Sequence, residues 1–402
     1  MKKILVISYC LPPQLYPQAI QIGRLVDGLK RQFNVVVVTA DQRGGPRDES
    51  LAPDLFDGLD EVIQISRSDN LYLNYVKNSW LPLLYQRPDI YRGWMKRAFR
   101  AIDLAAKRHK FDAVVTFSFP ASTNLLGAWL KDRLGVRWIS HNSDPWADNP
   151  LSRISRWTRS LHRRQERASF AKADALLFPS DEMSAMYRQR YPNLVGRIQT
   201  LHHSFDPAAY PDARPNGADG PRLLRYIGTF YGSRTPEPLY KALSLLSPED
   251  RRLLKIEIVG GGRSALSLRE RYGLTDSVAI QPGVPYRESL RLMVESDVLL
   301  VIDAPSDGAS VFFPSKLADY IGARRPILGI SPPGTTRRIL DDLGQACHDP
   351  ADTEAIAASL RMIAHGSSVN DPGFSEQDMA PYRLDHNVQR LAEIIDQMSS
   401  TS

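Results

Sequence analysis

A lysine and an aspartate lie three residues apart at the predicted start of a helix in the segment 303–330. A strand ends at Asp303, a polar loop follows, and the residues FFPSK then open the helix. Helix N-termini present unpaired N–H groups and partial positive charge, which suits them to bind phosphate. Lys316 would add a full charge there, although a lysine in the first turn opposes the helix dipole. Asp319 is suited to accept hydrogen bonds from a ribose, but acidic residues early in a helix are also favoured without a ligand.

Three more loops of the C-terminal half contain glycine and directly follow predicted strands. Ligands of open parallel sheets bind beyond the carboxyl ends of the strands, where glycine lets the backbone approach them closely. The first loop adds an arginine within reach of a phosphate, and the third could offer backbone groups to a base edge. Each loop alone is equally well an ordinary turn, with a solvated arginine in the first. The candidates are Gly228 and Arg234, then Gly260 and Gly261, then Gly283 and Val284.

In the N-terminal half, a histidine and an aspartate follow the predicted strand 136–140. Side chains just past a strand end face the ligand side of a parallel sheet. His141 and Asp144 could therefore orient hydroxyl groups or move protons, and they are the candidate catalytic residues. The alternative is structural, with Asp144 capping the following turn and Trp146 in the core.

Four of these motifs occur together in a known order: GTFYGSR, VGGG, GVPYRESL with ESDVLLV, and PSKLADYIGARRPIL. In that order they resemble the donor half of the retaining GT-B glycosyltransferases of family 4. The loop WISHNSDPWADNP resembles the DPW loop of bacterial polysaccharide glycosyltransferases. The loop SYCLPPQLYPQA matches the family's first loop but lacks its paired glycines.

The resemblance implies roles for particular residues. It places the donor diphosphate on Arg234 and on the helix start formed by Ser315, Lys316 and Leu317, and the donor ribose on Asp319. Gly283 and Val284 would lie near the ribose and base. The first acid of the family's two-acid signature falls on Val311. That departure affects sugar recognition and the assignment of a retaining mechanism.

The implied activity is transfer of a sugar from a UDP- or GDP-sugar to a lipid-linked or saccharide acceptor. The nucleotide-sugar is a substrate, so no cofactor is expected. No metal is expected either, because Arg234 and Lys316 would neutralise the diphosphate and no DxD pair follows a strand. Two alternatives stay open: a sugar-nucleotide epimerase on the same fold, and a non-catalytic nucleotide-binding subunit.

Short β-branched runs that alternate with helical patterns must position these residues. Such alternation predicts parallel sheets with right-handed crossovers, hence an α/β chain. The resemblance adds that two Rossmann-like domains face each other across a cleft. The predicted strands are 3–8, 35–40, 113–118, 136–140, 175–180, 222–228, 255–260, 277–281, 297–303 and 326–330.

A chain of 402 residues exceeds what one hydrophobic core usually serves. The Pro-, Gly- and Asp-rich stretch 206–221 interrupts the alternation and is the predicted linker. We expect an acceptor-side domain over 1–205 and a donor domain over 222–380. The last segment, 381–402, is expected to form a helix that returns towards the N-terminal domain.

The charge is unevenly distributed between the two halves. Residues 1–200 contain 30 Lys and Arg against 19 Asp and Glu, a net charge of +11, whereas residues 201–402 carry −5. Basic residues interleave with aromatic ones in 72–100 and cluster in 153–172. This pattern suits an anionic membrane surface, although a solvated basic helix face would also produce it. Nucleic acid is not expected as a partner, because no recognised nucleic-acid module occurs.

Two cysteines far apart in sequence fit a reducing compartment, and no stretch reaches the length of a membrane-spanning helix. The expected location is the cytoplasm or the inner face of the membrane.

Overall fold

The computed structural model describes residues 1–41, 47–51, 54–66, 89, 91–150, 152, 154–212, 220–306, 308–366 and 374–399. The chain divides into two units. Unit 1 comprises Met1–His202 together with Leu384–Ser402, and unit 2 comprises His203–Arg383. The first break therefore falls three residues before the predicted domain end at 205. Most of the predicted aromatic and basic stretch 72–100 (72–88 and 90), and 213–219 of the predicted linker, lie outside the described residues.

Unit 1 is built on a parallel sheet with strand order β3-β2-β1-β4-β5-β6-β7 in its described part. Its central strands consist of consecutive buried apolar residues, as expected for strands covered on both faces. The strands are β1 Lys3–Ser8, β2 Asn34–Ala40, β3 Glu61–Ile65, β4 Ala113–Ser118, β5 Arg137–Asn142, β6 Ala175–Phe178 and β7 Ile198–Thr200.

The helices of unit 1 connect these strands, and one of them comes from the chain end. They are α1 Pro17–Leu29, α2 Arg92–Arg108, α3 Ser122–Leu134, α4 Arg156–Phe170, α5 Asp181–Arg190 and the C-terminal α14 Leu384–Ser399. A short 3₁₀ helix, Pro192–Arg197, precedes β7.

The C-terminal helix α14 packs against α1. A Cβ atom on Gly28 of α1 would lie only 2.3 Å from Val388 of α14, so the two backbones can approach closely only because position 28 is glycine. Val388, Leu391 and Ile395 join the hydrophobic core of unit 1. The last segment of the chain thus completes the fold of the unit that the first segment begins.

Unit 2 repeats the architecture with strand order β10-β9-β8-β11-β12-β13, again parallel. Its strands are β8 Arg222–Ile227, β9 Leu254–Val259, β10 Val278–Gln281, β11 Val298–Ile302, β12 Ile327–Ile330 and β13 Cys347–His348. Its helices are α6 Glu237–Ser244, α7 Pro248–Arg252, α8 Gly262–Arg271, α9 Tyr286–Val294, α10 Ser315–Ala323, α11 Thr335–Asp342, α12 Thr353–Ala364 and α13 Glu376–Met379. Two 3₁₀ helices, Pro207–Ala209 and Ala380–Tyr382, lie near its ends.

Alternate residues of β11 supply two hydrophobic cores on opposite faces of this sheet. Leu300 and Ile302 join one core, and Leu299 and Val301 join the other. This division follows from the pleat of a strand, in which successive side chains point to opposite faces. The second core also receives Leu317 of α10, which ties that helix to the sheet.

Three observed strands, β3, β7 and β13, were not predicted from the sequence. All three lie at sheet edges and are short. Edge strands are partly solvated, so they lack the continuous apolar runs that mark the central strands. Within the described ranges, every helix falls short of the length and apolar character that crossing a bilayer requires.

Candidate anion-binding site at the strand ends of unit 2

The carboxyl ends of β8 and β9 lead into two glycines with left-handed backbone. Gly228 has a φ of +138° and Gly260 a φ of +89°. A Cβ atom on Gly260 would lie 3.1 Å from the carbonyl oxygen of Gly228, and one on Gly228 would lie 2.4 Å from Nζ of Lys316. A side chain at Gly228 would therefore be strained and would displace the amine. The predicted close approach at Gly228 exists, but in this structure the approaching group is Lys316.

Helix α10 is fixed to the end of β8 by a tyrosine. The hydroxyl of Tyr320 accepts a hydrogen bond of 2.8 Å from the N–H of Ile227. Lys316 lies one turn earlier on the same face, which directs it to the same strand end. Leu317 is fully buried, and its N–H already donates to the carbonyl oxygen of Pro314 at 2.8 Å. Leu317 therefore anchors the helix start, which no side chain caps.

The ammonium group of Lys316 is inaccessible to solvent and has no hydrogen-bond partner among the described residues. Its Nζ lies 3.9 Å from the ring centroid of Tyr226, a cation–π contact that offsets part of the cost of burial. Burial, and secondarily the charge of Arg234, hold the pKa of Lys316 well below its usual value, with Asp303 opposing them. A buried amine in this condition binds an anion favourably, because the anion supplies the missing counter-charge.

Arg234, in the loop after β8, reaches the same strand end but already has a carboxylate partner. Its guanidinium lies 2.9 Å from Oδ1 of Asp303; Asp303 is buried and Arg234 is partly buried. Oδ2 of Asp303 accepts hydrogen bonds from the hydroxyls of Ser331 and Thr336. Nε of Arg234 has no partner in the described structure, so the guanidinium keeps donor capacity. Arg234 thus has a carboxylate partner, whereas the amine of Lys316 has no hydrogen-bond partner in the described structure.

Asp319, the predicted ribose ligand, is buried and bonded within unit 2. The hydroxyl of Tyr286 donates to its Oδ1 at 2.9 Å, and the hydroxyl of Tyr210 donates to its carbonyl oxygen at 2.8 Å. The contact from Tyr286 orients the carboxylate of Asp319. Tyr286 was not predicted as a site residue, although it opens α9 two residues after Val284.

The other predicted glycines differ in what they do. Gly261 has ordinary backbone, and its Cβ would lie 2.5 Å from the side chain of Ile258. Packing of α8 on β9 is sufficient to explain this glycine, and its role as a point of ligand approach stays a prediction. At Gly283, by contrast, a Cβ atom would meet open space. The neighbouring Val284 packs partly on the second core of unit 2.

In unit 1, His141 lies inside strand β5, which continues to Asn142, rather than just past its end. The prediction that the strand stops at residue 140 was wrong, because the polar residues His141 and Asn142 keep the ladder with β4. The imidazole is buried with its ring 5.2 Å from that of Phe117, and Nδ1 has no described partner. Burial lowers the pKa of His141 to about 4, so the ring is neutral at physiological pH.

Asp144 lies in the loop after β5 and is exposed, yet desolvation by surrounding protein raises the pKa of its carboxyl to about 6. A carboxyl with such a pKa exchanges protons near neutral pH. Trp146 is buried, as the structural alternative held, and its backbone N–H donates to the hydroxyl of Tyr187 at 3.1 Å. No hydrogen bond joins His141 to Asp144 in the described part of unit 1.

Comparison with known proteins places this geometry in context. Residues 18–198 match the family model of the glycosyl transferase 4-like domain. This part of unit 1 is therefore similar to a glycosyltransferase domain. A search of functionally characterised sequences finds no significant match.

Solved structures of similar fold extend over both units. Sucrose-phosphate synthase of Thermosynechococcus elongatus is similar over 100% of both chains, with 14% identity and a TM-score of 0.73. The lipopolysaccharide outer core galactosyltransferase WaaB has 13% identity and a TM-score of 0.67, covering 98% of this chain and 99% of its own. HepE of Anabaena in complex with UDP has 11% identity and a TM-score of 0.66, covering 99% and 100%. The predicted fold class, the resemblance to family 4 and the assignment to the glycosyltransferases are confirmed.

The unpartnered amine leads to a prediction about stability. Lys316→Met removes a buried polar group that lacks a hydrogen-bond partner and keeps much of its volume, so it should raise the free energy of unfolding of unit 2 by about 1 kcal/mol without ligand. Urea denaturation at neutral pH measures the change. Lys241→Met, at an exposed lysine of α6, is the matched control and should change stability by less than about 0.5 kcal/mol. A clear loss of stability in Lys316→Met would mean that the amine has a stabilising partner.

Proposed function

We propose that unit 2 holds a nucleotide-sugar and that the enzyme transfers the sugar to a lipid-linked or saccharide acceptor bound by unit 1. The observation that carries this proposal is the buried amine of Lys316. It lies at the carboxyl ends of the parallel strands and has no hydrogen-bond partner in the described structure. Ligands of such sheets bind beyond these strand ends, and an anion would supply the counter-charge that the protonated amine lacks. The glycosyltransferase domain in residues 18–198 supports transfer as the reaction.

The donor diphosphate would contact Lys316, the backbone at Ser315 and Arg234. The uncapped start of α10 adds partial positive charge to the two side-chain cations. Arg234 would share its guanidinium between Asp303 and a phosphate oxygen, since Nε is unused. Together these groups carry enough positive charge to stabilise a diphosphate without a metal ion, which is the basis for proposing metal-independent transfer.

The nucleoside would lie against Asp319 and the loop at Gly283 and Val284. Asp319 is oriented by Tyr286, and the open space at Gly283 leaves room for a ring at that loop. HepE, which has a similar fold, was determined with UDP and with UDP-glucose. That supports a nucleotide-sugar donor, with UDP ahead of GDP.

We propose retention of configuration at the sugar, as the resemblance to family 4 implies. The bond from the anomeric carbon to the diphosphate breaks, and the acceptor oxygen bonds to the same face of that carbon. The acceptor proton passes to the carboxylate of Asp144, the proposed base, and from there to the leaving diphosphate. Lys316 and Arg234 would stabilise the charge that develops on the diphosphate. Val311 is half-buried in the segment between β11 and α10, where the family carries its first acid. Sugar recognition must therefore use other groups.

Unit 1 supplies the proposed acceptor side and the proposed contact with an anionic membrane. Asp144 is the better candidate for proton movement, because its pKa is near 6 whereas the neutral His141 is buried within a strand. On α4, Trp157 is 77% exposed among arginines. An exposed tryptophan beside cations is typical of helices that lie on a membrane surface.

The glycosyl transferase 4-like domain favours transfer over epimerisation and over simple binding. One of the similar folds is a putative UDP-N-acetylglucosamine 2-epimerase of Listeria monocytogenes, so the fold alone does not separate these activities. Incubation with labelled UDP- or GDP-sugar and membrane extract separates them. Label in the lipid fraction supports transfer, whereas isomerised donor or binding without turnover contradicts it.

Binding of the nucleoside diphosphate should depend on Lys316. Lys316→Ala should weaken affinity for the diphosphate by roughly ten- to a hundredfold, because a charge-assisted phosphate contact in a desolvated site is lost. Affinity for the nucleoside alone should hardly change. Asp319→Asn should weaken both ligands, since it changes the ribose contact. Calorimetric titration measures all four affinities, with Lys241→Ala as the control. Unchanged diphosphate affinity in Lys316→Ala would place the donor elsewhere.

The pH dependence of transfer should report Asp144. Its carboxyl has a raised pKa, so the base form appears as pH rises through about 6, and kcat/KM should rise with it. Asp144→Asn should remove this limb and lower the rate by about 10²–10⁴-fold. Asp132→Asn, an exposed residue paired with Lys172, is the control and should keep the limb. His141, with a pKa near 4, should add no limb between pH 5 and 8. An unchanged limb in Asp144→Asn would exclude Asp144 as the base.

A further inference from the structure

A pocket of about 470 Å³ in unit 1 is lined by four arginines, one aspartate and one tyrosine. It lies where helix α4 meets the end of α5 and the loop after β5. The lining residues are Asp148, Arg163, Arg164, Arg167, Arg190 and Tyr191. This pocket lies in a different unit from the anion site formed by Lys316 and Arg234.

A single surface carboxylate holds part of this basic cluster in place. Asp148 accepts hydrogen bonds from Arg163 at 3.0 and 2.8 Å and lies 3.0 Å from Arg190. Arg159 approaches the same carboxylate at 3.6 Å. Three guanidinium groups thus share one negative charge.

A second carboxylate, the fully buried Glu166, holds two residues of the pocket wall in place. Glu166 accepts from the hydroxyl of Tyr191 at 2.7 Å and lies 3.4 Å from Arg190. It also accepts from the N–H of Ala147, at 2.9 Å, next to Asp148 in the loop. Glu166 therefore fixes the loop and the wall of the pocket before any ligand binds, which makes the pocket a built feature rather than a loose group of surface side chains.

The remaining two arginines have no carboxylate partner in the described structure. Arg164 and Arg167 are exposed on α4 and line the pocket. Five arginines surround two carboxylates there, so the cluster keeps a charge of about +3 and its members repel one another. A bound anion would relieve that repulsion, and guanidinium groups pair with phosphate oxygens in two-point contacts.

We infer that this pocket binds a phosphate-bearing ligand through Arg164 and Arg167, with Arg163 and Arg190 held ready by Asp148. The inference does not depend on glycosyl transfer, because the pocket uses none of the residues assigned to the donor. It also differs from diffuse attraction to a charged surface, in which every exposed arginine of α4 would count equally. The phosphate could belong to a lipid headgroup or to a soluble phosphorylated molecule.

The first test uses inorganic pyrophosphate as the probe, with the full chain carrying Lys316→Ala so that the proposed donor contact is weakened. Calorimetry at low salt should detect binding. Adding Arg164→Gln or Arg167→Gln should weaken it by about tenfold, because a charge-assisted contact is lost. Arg156→Gln is the matched control, since Arg156 is exposed on the same helix but does not line the pocket. It should leave the affinity within about twofold.

The second test distinguishes the sources of the phosphate. Sedimentation with phosphatidylcholine vesicles containing phosphatidic acid is compared with sedimentation with pure phosphatidylcholine. For a lipid headgroup, Arg164→Gln should reduce binding to the acidic vesicles, and Trp157→Ala should reduce vesicle binding without changing pyrophosphate affinity. For a soluble ligand, pyrophosphate binding should depend on Arg164 while vesicle binding does not.

Either pattern supports the pocket and names its ligand's source. Two results would overturn it: no pyrophosphate binding in the Lys316→Ala chain, or equal losses in Arg164→Gln and Arg156→Gln. Because these readouts leave the transfer reaction aside, failure of the pocket and failure of the proposed donor site are distinguishable.

Discussion

The buried ammonium of Lys316 imposes the constraint on which the candidate donor site depends. Its Nζ lies against Gly228, over the ring of Tyr226, and has no acceptor among the described residues. The surrounding structure maintains this costly position: Tyr320 pins α10 to β8, and the left-handed backbone at Gly228 leaves space for the amine. Asp303, the carboxylate that acts electrostatically on Lys316, is paired with Arg234. A buried amine at the strand ends that lacks an acceptor, and that would regain its charge when an anion binds, marks a candidate anion site.

The two units organise positive charge differently. In unit 2, one cation is buried and unpaired, which favours a ligand that replaces water almost completely. In unit 1, most arginines of α4 are exposed, and Asp148 orients only Arg159 and Arg163 among them. Contacts there are weaker and depend on salt. The loop after β5 carries both Asp144 and Asp148, so a ligand in the arginine pocket would contact the same loop as the proposed base.

The sequence predicts the fold well because parallel central strands consist of continuous apolar runs. All ten predicted strands exist, and the three missed strands are short edge strands. The helix start at Lys316 is predictable because FFPSK follows a polar loop. The pairing of Arg234 with Asp303 is not, since it joins residues 69 positions apart. Gly261 and His141 show the limits of local patterns. Packing against Ile258 is sufficient to explain Gly261. The polar residues at the end of β5 led to the prediction that the strand stops before His141.

The most direct test of the central claim is the number of protons taken up when a nucleoside diphosphate binds. Lys316 has a lowered pKa in the empty site, and a bound diphosphate must raise it, so binding should take up protons and weaken as pH rises through that interval. Calorimetry at a series of pH values from about 8 upwards, in buffers of different ionisation enthalpy, avoids titration of the phosphate itself, whose second pKa is about 6. We expect net proton uptake in the wild-type protein and none in Lys316→Met. Equal uptake in both proteins, or none in the wild type, would contradict the account.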